Sequence, residues 1–404
     1  MNLRIVHRTP RDRPRAKPRL RALAPILALG LASAAHGQAA TEIEASLPPP
    51  DAARRVTGYP TLVGLTGATT SAGLPIVDAA ARQEASQHFC AAIAYAAKTG
   101  SDSLLVWHRD HLELAHDFPP HDARSRSWSA SMAKTVVALA LGVAIAEGKI
   151  ASVDTPVAQV LTEWRDSAHR AITFRDLLEM TSGLDHGAPT GGGGAALMGG
   201  NDAVANALAL AATTPAGQEF DYYTLNVTLL IEAIQRATGE PFARFVSQRL
   251  WQPLGAGDAF FAGDDKGHAT PSIYATARDW LRIGVLIKDR GEWQGKRLVP
   301  AAWIDAMTTP SPRNPNYGWL VWLGSPPGTT RSYGPHVAFA AHHSQPFLAP
   351  DMIYLDGFGG ERVYIARSAD LVIVRTGAMD VDWDDALIPN AIVAAERGAP
   401  GTCP

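Results

Sequence analysis

Ser127-Trp128-Ser129-Ala130-Ser131-Met132-Ala133-Lys134 opens an apolar run that continues to Ile145. A serine and a lysine three apart on a helix share one face. A helix that is apolar all round is usually a buried one, so the spacing predicts a Lys134 ammonium in poor solvent. Such an environment favours the neutral amine and makes it a usable base. Ser131 falls at the mouth of the helix, where unpaired N–H groups and the helix dipole stabilise developing negative charge. The pattern is that of an activated nucleophile. The motif alone does not decide the matter. With 20 Ser and 7 Lys in 404 residues, about 0.35 S-x-x-K matches arise by chance, and an N-terminal serine followed by a snorkelling lysine spells the same letters. The surrounding sequence carries the weight.

Outward from this helix, Glu147-Gly148-Lys149-Ile150 and Val153-Asp154 close the apolar run. Phe174-Arg175-Asp176-Leu177-Leu178-Glu179-Met180-Thr181-Ser182-Gly183-Leu184 follows, then Pro215-Ala216-Gly217-Gln218-Glu219-Phe220-Asp221-Tyr222, Ala275-Thr276-Ala277-Arg278-Asp279 and Leu371-Val372-Ile373-Val374-Arg375. In this order the segments resemble the penicillin-recognising serine hydrolases: class C β-lactamases, D-Ala-D-Ala peptidases, related esterases and 6-aminohexanoate-dimer hydrolases. The esterase and 6-aminohexanoate-dimer hydrolase branch is the nearest, and the resemblance runs from about Ser103 to about Thr376. It implies an α+β, β-lactamase/transpeptidase-like fold, with a central antiparallel sheet flanked by helices and an all-helical lobe. The implied activity is cleavage of an ester or amide bond through an acyl-enzyme on Ser131, with Lys134 as general base. No G-x-S-x-G occurs, which removes the commonest rival serine-hydrolase signature.

Two family motifs are altered. The family sets a tyrosine and an asparagine, Y-x-N, beside the nucleophile. Counting from Phe220 puts Tyr222 at the tyrosine position and Thr224 at that of the asparagine. Tyr222 would shuttle the leaving-group proton, and the Thr224 hydroxyl would bond Lys134 or a substrate carbonyl in place of an amide. Tyr223 is the other tyrosine in reach of this role. The late K-T-G of the β-lactamases has no counterpart. Lys98-Thr99-Gly100 spells it, but precedes Ser131 and reads as a basic last helical turn with a glycine cap. The corresponding late stretch is Asp356-Gly357-Phe358-Gly359-Gly360-Glu361. Its glycines let backbone approach a substrate, and by resemblance an N–H near Phe358 and that of Ser131 would form the oxyanion hole.

The same stretch bears on substrate. β-Lactams and D-Ala-D-Ala peptides carry a carboxylate, and Asp356 with Glu361 would repel it, with Arg362 beside them. A neutral or amine-bearing ester or amide therefore ranks above a β-lactam. A β-lactamase, a D-Ala-D-Ala-type peptidase and a non-catalytic receptor that is acylated and holds its ligand are the alternatives. Asp185 is either a ligand for a substrate amine or an exposed cap.

Composition and order agree with one large hydrolase body. Residues 1–37 pass from an Arg-rich stretch into Ala22–Ala35 and read as a secretory signal, too short in its apolar core to span a bilayer comfortably. This predicts a periplasmic or secreted protein without stable membrane insertion after removal of the signal. The segment holds eight Lys or Arg and one Asp, so the remainder has 28 basic and 38 acidic residues, a net of −10. An acidic body argues against a nucleic-acid partner. Residues 38–60 are Pro-rich and extended, and residues 61–404 form the hydrolase domain. Its sheet lobe is expected over about 61–128 and 303–404, and its helical lobe over about 129–302. Helices are expected over Gln83–Ala97 and Trp383–Arg397, and a hairpin over Leu104–Trp107 and Leu112–Phe118. In the family the first and last helices lie side by side, which makes Cys90 and Cys403 a candidate disulfide in an oxidising compartment. No metal or cofactor is expected. His108, His111, His116 and His121 have metal-like spacing, but strand alternation sends them to different faces.

Overall fold

Arg109 and Asp110 both hold positive φ, 47° and 61°, the geometry of the two-residue turn that matches the right-handed twist of a hairpin. They join the strands Ser101–His108 and His111–Asp117 in the computed structural model. It describes residues 61–70, 73–165, 167–186, 202–324, 330–337, 340–380, 382–399 and 403. The expected signal segment, the Pro-rich stretch and Gly187–Gly200 lie outside these residues.

The strands in chain order are β1 (Thr61–Leu65), β2 (Ser101–His108), β3 (His111–Asp117), β4 (Arg126–Trp128), β5 (Ala259–Gly263), β6 (Ala269–Thr276), β7 (Glu292–Trp293) and β8 (Lys296–Arg297). They continue with β9 (Trp322–Leu323), β10 (Thr330–Ser332), β11 (Ala340–His342), β12 (Ile353–Gly357), β13 (Glu361–Ala366) and β14 (Leu371–Gly377). Six of them form one antiparallel sheet in the order β3-β2-β14-β13-β12-β9. β2, β13 and β14 are buried almost throughout because both faces are covered. The Ala277–Lys288 helix lies on one face, so close that a Cβ on Gly284 would stand 2.5 Å from Val372 Cγ1. The Cys90–Lys98 helix packs on β2 and on the closing Leu387–Glu396 helix. Cys90 and Cys403 are joined by a disulfide, their Cα atoms 5.5 Å apart.

The apolar run seen in the sequence is the Ala133–Ala146 helix, buried from Ala133 to Ala144. A turn of 3-10 helix, Ala130–Met132, precedes it. Two landmarks of the sequence prove to be reciprocal caps. Thr173 and Asp176 form a capping box at the start of Phe174–Leu178, and Thr276 and Asp279 form another at Ala277–Lys288. Each satisfies two otherwise orphaned N–H donors, which explains why Thr-x-x-Asp stands there.

The structure departs from the sequence reading in several places. Gln83–Ala97 is two helices, Ala79–His88 and Cys90–Lys98, interrupted at Phe89. The last helix starts at Leu387 rather than Trp383. The stretch 129–302 is not helical throughout: β5 and β6 pair as a hairpin and join β1 and β4 in a second sheet, β1-β5-β6-β4. Those strands lack alternation because every residue from Ala259 to Gly263 is buried, and a short fully buried strand cannot be told from a buried helix by period. Leu320, at φ 55°, turns the chain between Trp319 and Trp322. Both tryptophans are buried.

Candidate active site

The second sheet aims the approach to Ser131. Ser129 N–H donates to Ile273 O and Ser129 Oγ accepts from Ile273 N–H, both at 2.9 Å, so β6 grips the chain two residues before the serine. Ala130 then takes φ 46°, an unfavourable value for a residue with a Cβ. Strain of this kind persists where the surroundings over-determine the backbone. On the other side β12 ends against the same turn. A Cβ on Gly357 would lie 2.3 Å from Ser129 O and 2.6 Å from Glu361 Cβ, so glycine is the residue that lets the strand approach. Phe358 follows Gly357 in the turn to β13 and is half-buried.

Lys134 Nζ donates to Ser131 Oγ at 2.6 Å and to Thr224 Oγ1 at 3.2 Å. Burial pushes the Lys134 ammonium down to about 7, against a smaller opposing pull from Asp356. Tyr222 hydrogen-bonds Ser131, and Lys134 Nζ lies 5.0 Å from the centre of the Tyr222 ring. Burial, then the Asp356 charge, pushes the Tyr222 phenol well above its ordinary value, with the Ser131 hydrogen bond offsetting part of the effect. The resting tyrosine is therefore neutral and able to donate. The structure thus brings Ser131, Lys134, Tyr222 and Thr224 together. Tyr223 is not in this group: it caps the Thr224–Thr238 helix and stacks on His186 at 3.7 Å. Burial, then Asp185 and Asp221, raises its phenol to about 12. Asp185 is exposed and sits in this Tyr223 neighbourhood, its N–H donating to Ala211 O.

A buried set of charges stands behind the site, and sequence reading missed its extent. Asp356 Oδ1 lies 2.7 Å from both Arg331 Nη2 and Arg362 Nη1, and Tyr333 OH donates to Asp356 Oδ2 at 2.7 Å. Asp385 completes the set, 2.7 Å from Arg362 Nε and in contact with Arg331 Nη1. Burial opposes the charge of Asp356, but Arg331 and Arg362 outweigh it and hold the carboxyl below the usual range. Glu361 behaves oppositely: burial lifts it to about 8 against the weaker pull of Arg375. The expectation that Asp356 and Glu361 present a repelling acidic pair is thereby corrected. Two Arg and two Asp cancel, and Glu361 mostly carries a proton at neutral pH. Arg331 comes from a loop strand with no periodic signal. Its placement between Trp322, Tyr333 and Tyr354, with ring centres 4.7–5.3 Å away, is a long-range consequence of packing. Tyr317, Trp322 and Tyr333 wall in Tyr222, at 6.1, 5.8 and 5.2 Å between ring centres.

The remaining sequence candidates disperse. His108 pairs with Glu113 and Glu396, His121 with Asp102, His111 with the Arg109 carbonyl, and His116 packs on Phe118. Lys98-Thr99-Gly100 ends a helix, with Gly100 at φ 64°.

With the geometry in hand, comparison with known proteins is informative. A model of the Beta-lactamase family matches residues 85–379. A 6-aminohexanoate-dimer hydrolase of Paenarthrobacter ureafaciens is 33% identical over 92 residues, 22% of this chain and 24% of that protein. Esterase EstB of Burkholderia gladioli is 32% identical over 158 residues, 35% of this chain and 40% of that protein. These alignments span well under two thirds of either relative. Among solved structures, a penicillin-binding protein homologue from Caulobacter crescentus superposes with a TM-score of 0.56 at 16% identity, covering 82% of this chain and 100% of that one. The fold is that of the β-lactamase/transpeptidase-like proteins.

Proposed function

The chain belongs to the Beta-lactamase family and is a serine hydrolase, and from that premise we propose that it cleaves an ester or amide through an acyl-enzyme on Ser131. The observation that carries this reading is the 2.6 Å contact between Ser131 Oγ and a Lys134 amine held near a pKa of about 7. In its neutral form the amine accepts the Ser131 proton as Oγ attacks the substrate carbonyl. The C–O or C–N bond then breaks as the tetrahedral intermediate collapses, and the leaving group takes the proton from the Lys134 ammonium, directly or through Tyr222, whose phenol then regains its proton from Lys134, so the amine is neutral again. Water repeats the sequence on the acyl-enzyme, with Lys134 again the base. The backbone N–H groups of Ser131 and Phe358 are the proposed donors to the oxyanion, with Gly357 permitting their approach. Thr224 holds Lys134, and Asp185 is a proposed contact for a substrate amine.

The preference for a neutral or amine-bearing substrate now rests on a different argument. Arg331 and Arg362 are each engaged by Asp356 and Asp385, so neither guanidinium is free to receive the carboxylate of a β-lactam. Similarity to an esterase and to a hydrolase of an aminohexanoate dimer supports the same preference. A periplasmic or secreted location is proposed alongside, supported by the Cys90–Cys403 bridge.

Comparing kcat/KM for short-chain p-nitrophenyl esters and for nitrocefin tests the substrate class. The ester value should be the larger, with continued turnover after the burst. A nitrocefin value equal to or above it would overturn the preference, and a single burst without turnover would make the protein an acylated receptor.

A further inference from the structure

We propose that His186 Nδ1, Asp221 Oδ2 and His336 Nδ1 form a binding site for a divalent transition metal of the zinc class, beside Tyr222. His186 Nδ1 is 2.9 Å and His336 Nδ1 2.5 Å from Asp221 Oδ2, and one ligand atom from each of the three residues lies within 4.8 Å of the other two. The His186 and Asp221 side chains are 6% and 14% exposed. As a purely hydrogen-bonded arrangement this is incomplete. Both imidazoles crowd onto one oxygen, His336 Nδ1 through a hydrogen bond and His186 Nδ1 in contact at 2.9 Å, while Asp221 Oδ1 is buried with no hydrogen-bond partner among the described residues, a state buried polar atoms rarely keep.

A cation resolves the mismatch. Two neutral imidazoles can turn their Nδ1 lone pairs to it and carry their protons on Nε2, while the carboxylate supplies one negative charge. Two nitrogens and one carboxylate oxygen suit zinc and its neighbours rather than magnesium or calcium. Three protein ligands leave a position for water. Tetrahedral bonds of about 2.0–2.1 Å require ligand atoms about 3.3 Å apart, so the present contacts must open by less than an ångström. His336, at 41% exposure, is free to move that far.

Two other clusters of this kind are less suited. Asp264 of the Asp202–Asp264–His268 group is already saturated by the N–H groups of Ala203, Lys266 and His268 and by the His268 ring. The His108–Glu113–Glu396 group offers a single imidazole. The proposed site also touches the machinery around Tyr222. Asp221 precedes Tyr222, and Tyr222 N–H donates to the carbonyl of Tyr333, three residues before His336. Bound metal would tie three chain segments around that tyrosine.

The proposal is independent of the hydrolytic reading, because its readout is binding. The full chain, stripped with a chelator, is titrated with Zn2+ by calorimetry and with Co2+ by its visible absorption. One equivalent should bind with a Kd below about 10 µM, and His186→Ala and His336→Ala should each weaken it at least tenfold. His108→Gln should leave it unchanged. His336 is a surface residue, so His336→Ala keeps the test valid even if His186→Ala fails to fold. Absence of saturable binding in the wild type, or binding that His336→Ala leaves intact, would overturn the site.

Discussion

Replacing Lys134 by Met separates what the lysine does for chemistry from what it does to the fold. An ordinary lysine, at 10.5, would be neutral in only about one molecule in 3,000 at pH 7, whereas Lys134 at about 7 is neutral in about half. Burial thus raises the population of usable base about a thousandfold. The same burial is a stability penalty. The folded value lies below the unfolded one, so between about 7 and 10.5 the unfolded chain binds the extra proton. The penalty is fully present below pH 7, where it reaches up to about 5 kcal/mol, and vanishes above 10.5. Lys134→Met removes it but also removes the hydrogen bonds to Ser131 and Thr224, about 1 kcal/mol each. The net expectation at pH 6 is a stabilisation of about 3 kcal/mol, or about 4 °C in Tm for a domain of this size. The gain should cross zero near about pH 9 and reverse above it. Loss of the proposed general base should lower kcat/KM on a p-nitrophenyl ester by at least about 10². Scanning calorimetry across pH, with ester kinetics, reads both effects. A Tm that falls at pH 6, or a kcat/KM within tenfold of wild type, would refute the reasoning.

Two further outcomes follow from the same structure. The wild-type kcat/KM should rise with pH through about 7 and then level, because the neutral Lys134 amine is the proposed base; the neutral Tyr222 adds no second limb below pH 9, and a profile flat from pH 5 to 9 would exclude Lys134 as the base. The disulfide closes a loop with a sequence separation of 313 and stabilises by up to about 5–6 kcal/mol in the chain-entropy model, so Cys90→Ala or reductant should lower Tm while leaving ester kinetics at 25 °C unchanged, and an unaltered Tm would contradict a structural role for the bridge.

What the sequence discloses is the local and the periodic. The Ser131–Lys134 pairing follows from helical spacing, and the β2–β3 hairpin from apolar runs around Arg109-Asp110. Tyr222 and Thr224 are reached by counting along a resemblance, and the structure puts both at Ser131 and Lys134. What stays hidden depends on distant pairing. β5 and β6 become strands through β1 and β4, which come from nearly 200 and over 100 residues earlier in the chain. Asp356 changes from a repelling acid to a neutralised one through Arg331 and Arg362, and no pattern near residue 331 announces that. Burial sets the charge of Glu361, and burial is a property of the whole fold.

The most direct test of the account is where a trapped acyl group resides. A fluorophosphonate or a slowly hydrolysed ester is reacted with the wild type, and the adduct is mapped by peptide mass spectrometry. The account predicts one adduct per chain on Ser131, none in Ser131→Ala, and loss of ester hydrolysis in that variant with the fold retained. An adduct on Ser129 or Ser182, or undiminished turnover in Ser131→Ala, would contradict it.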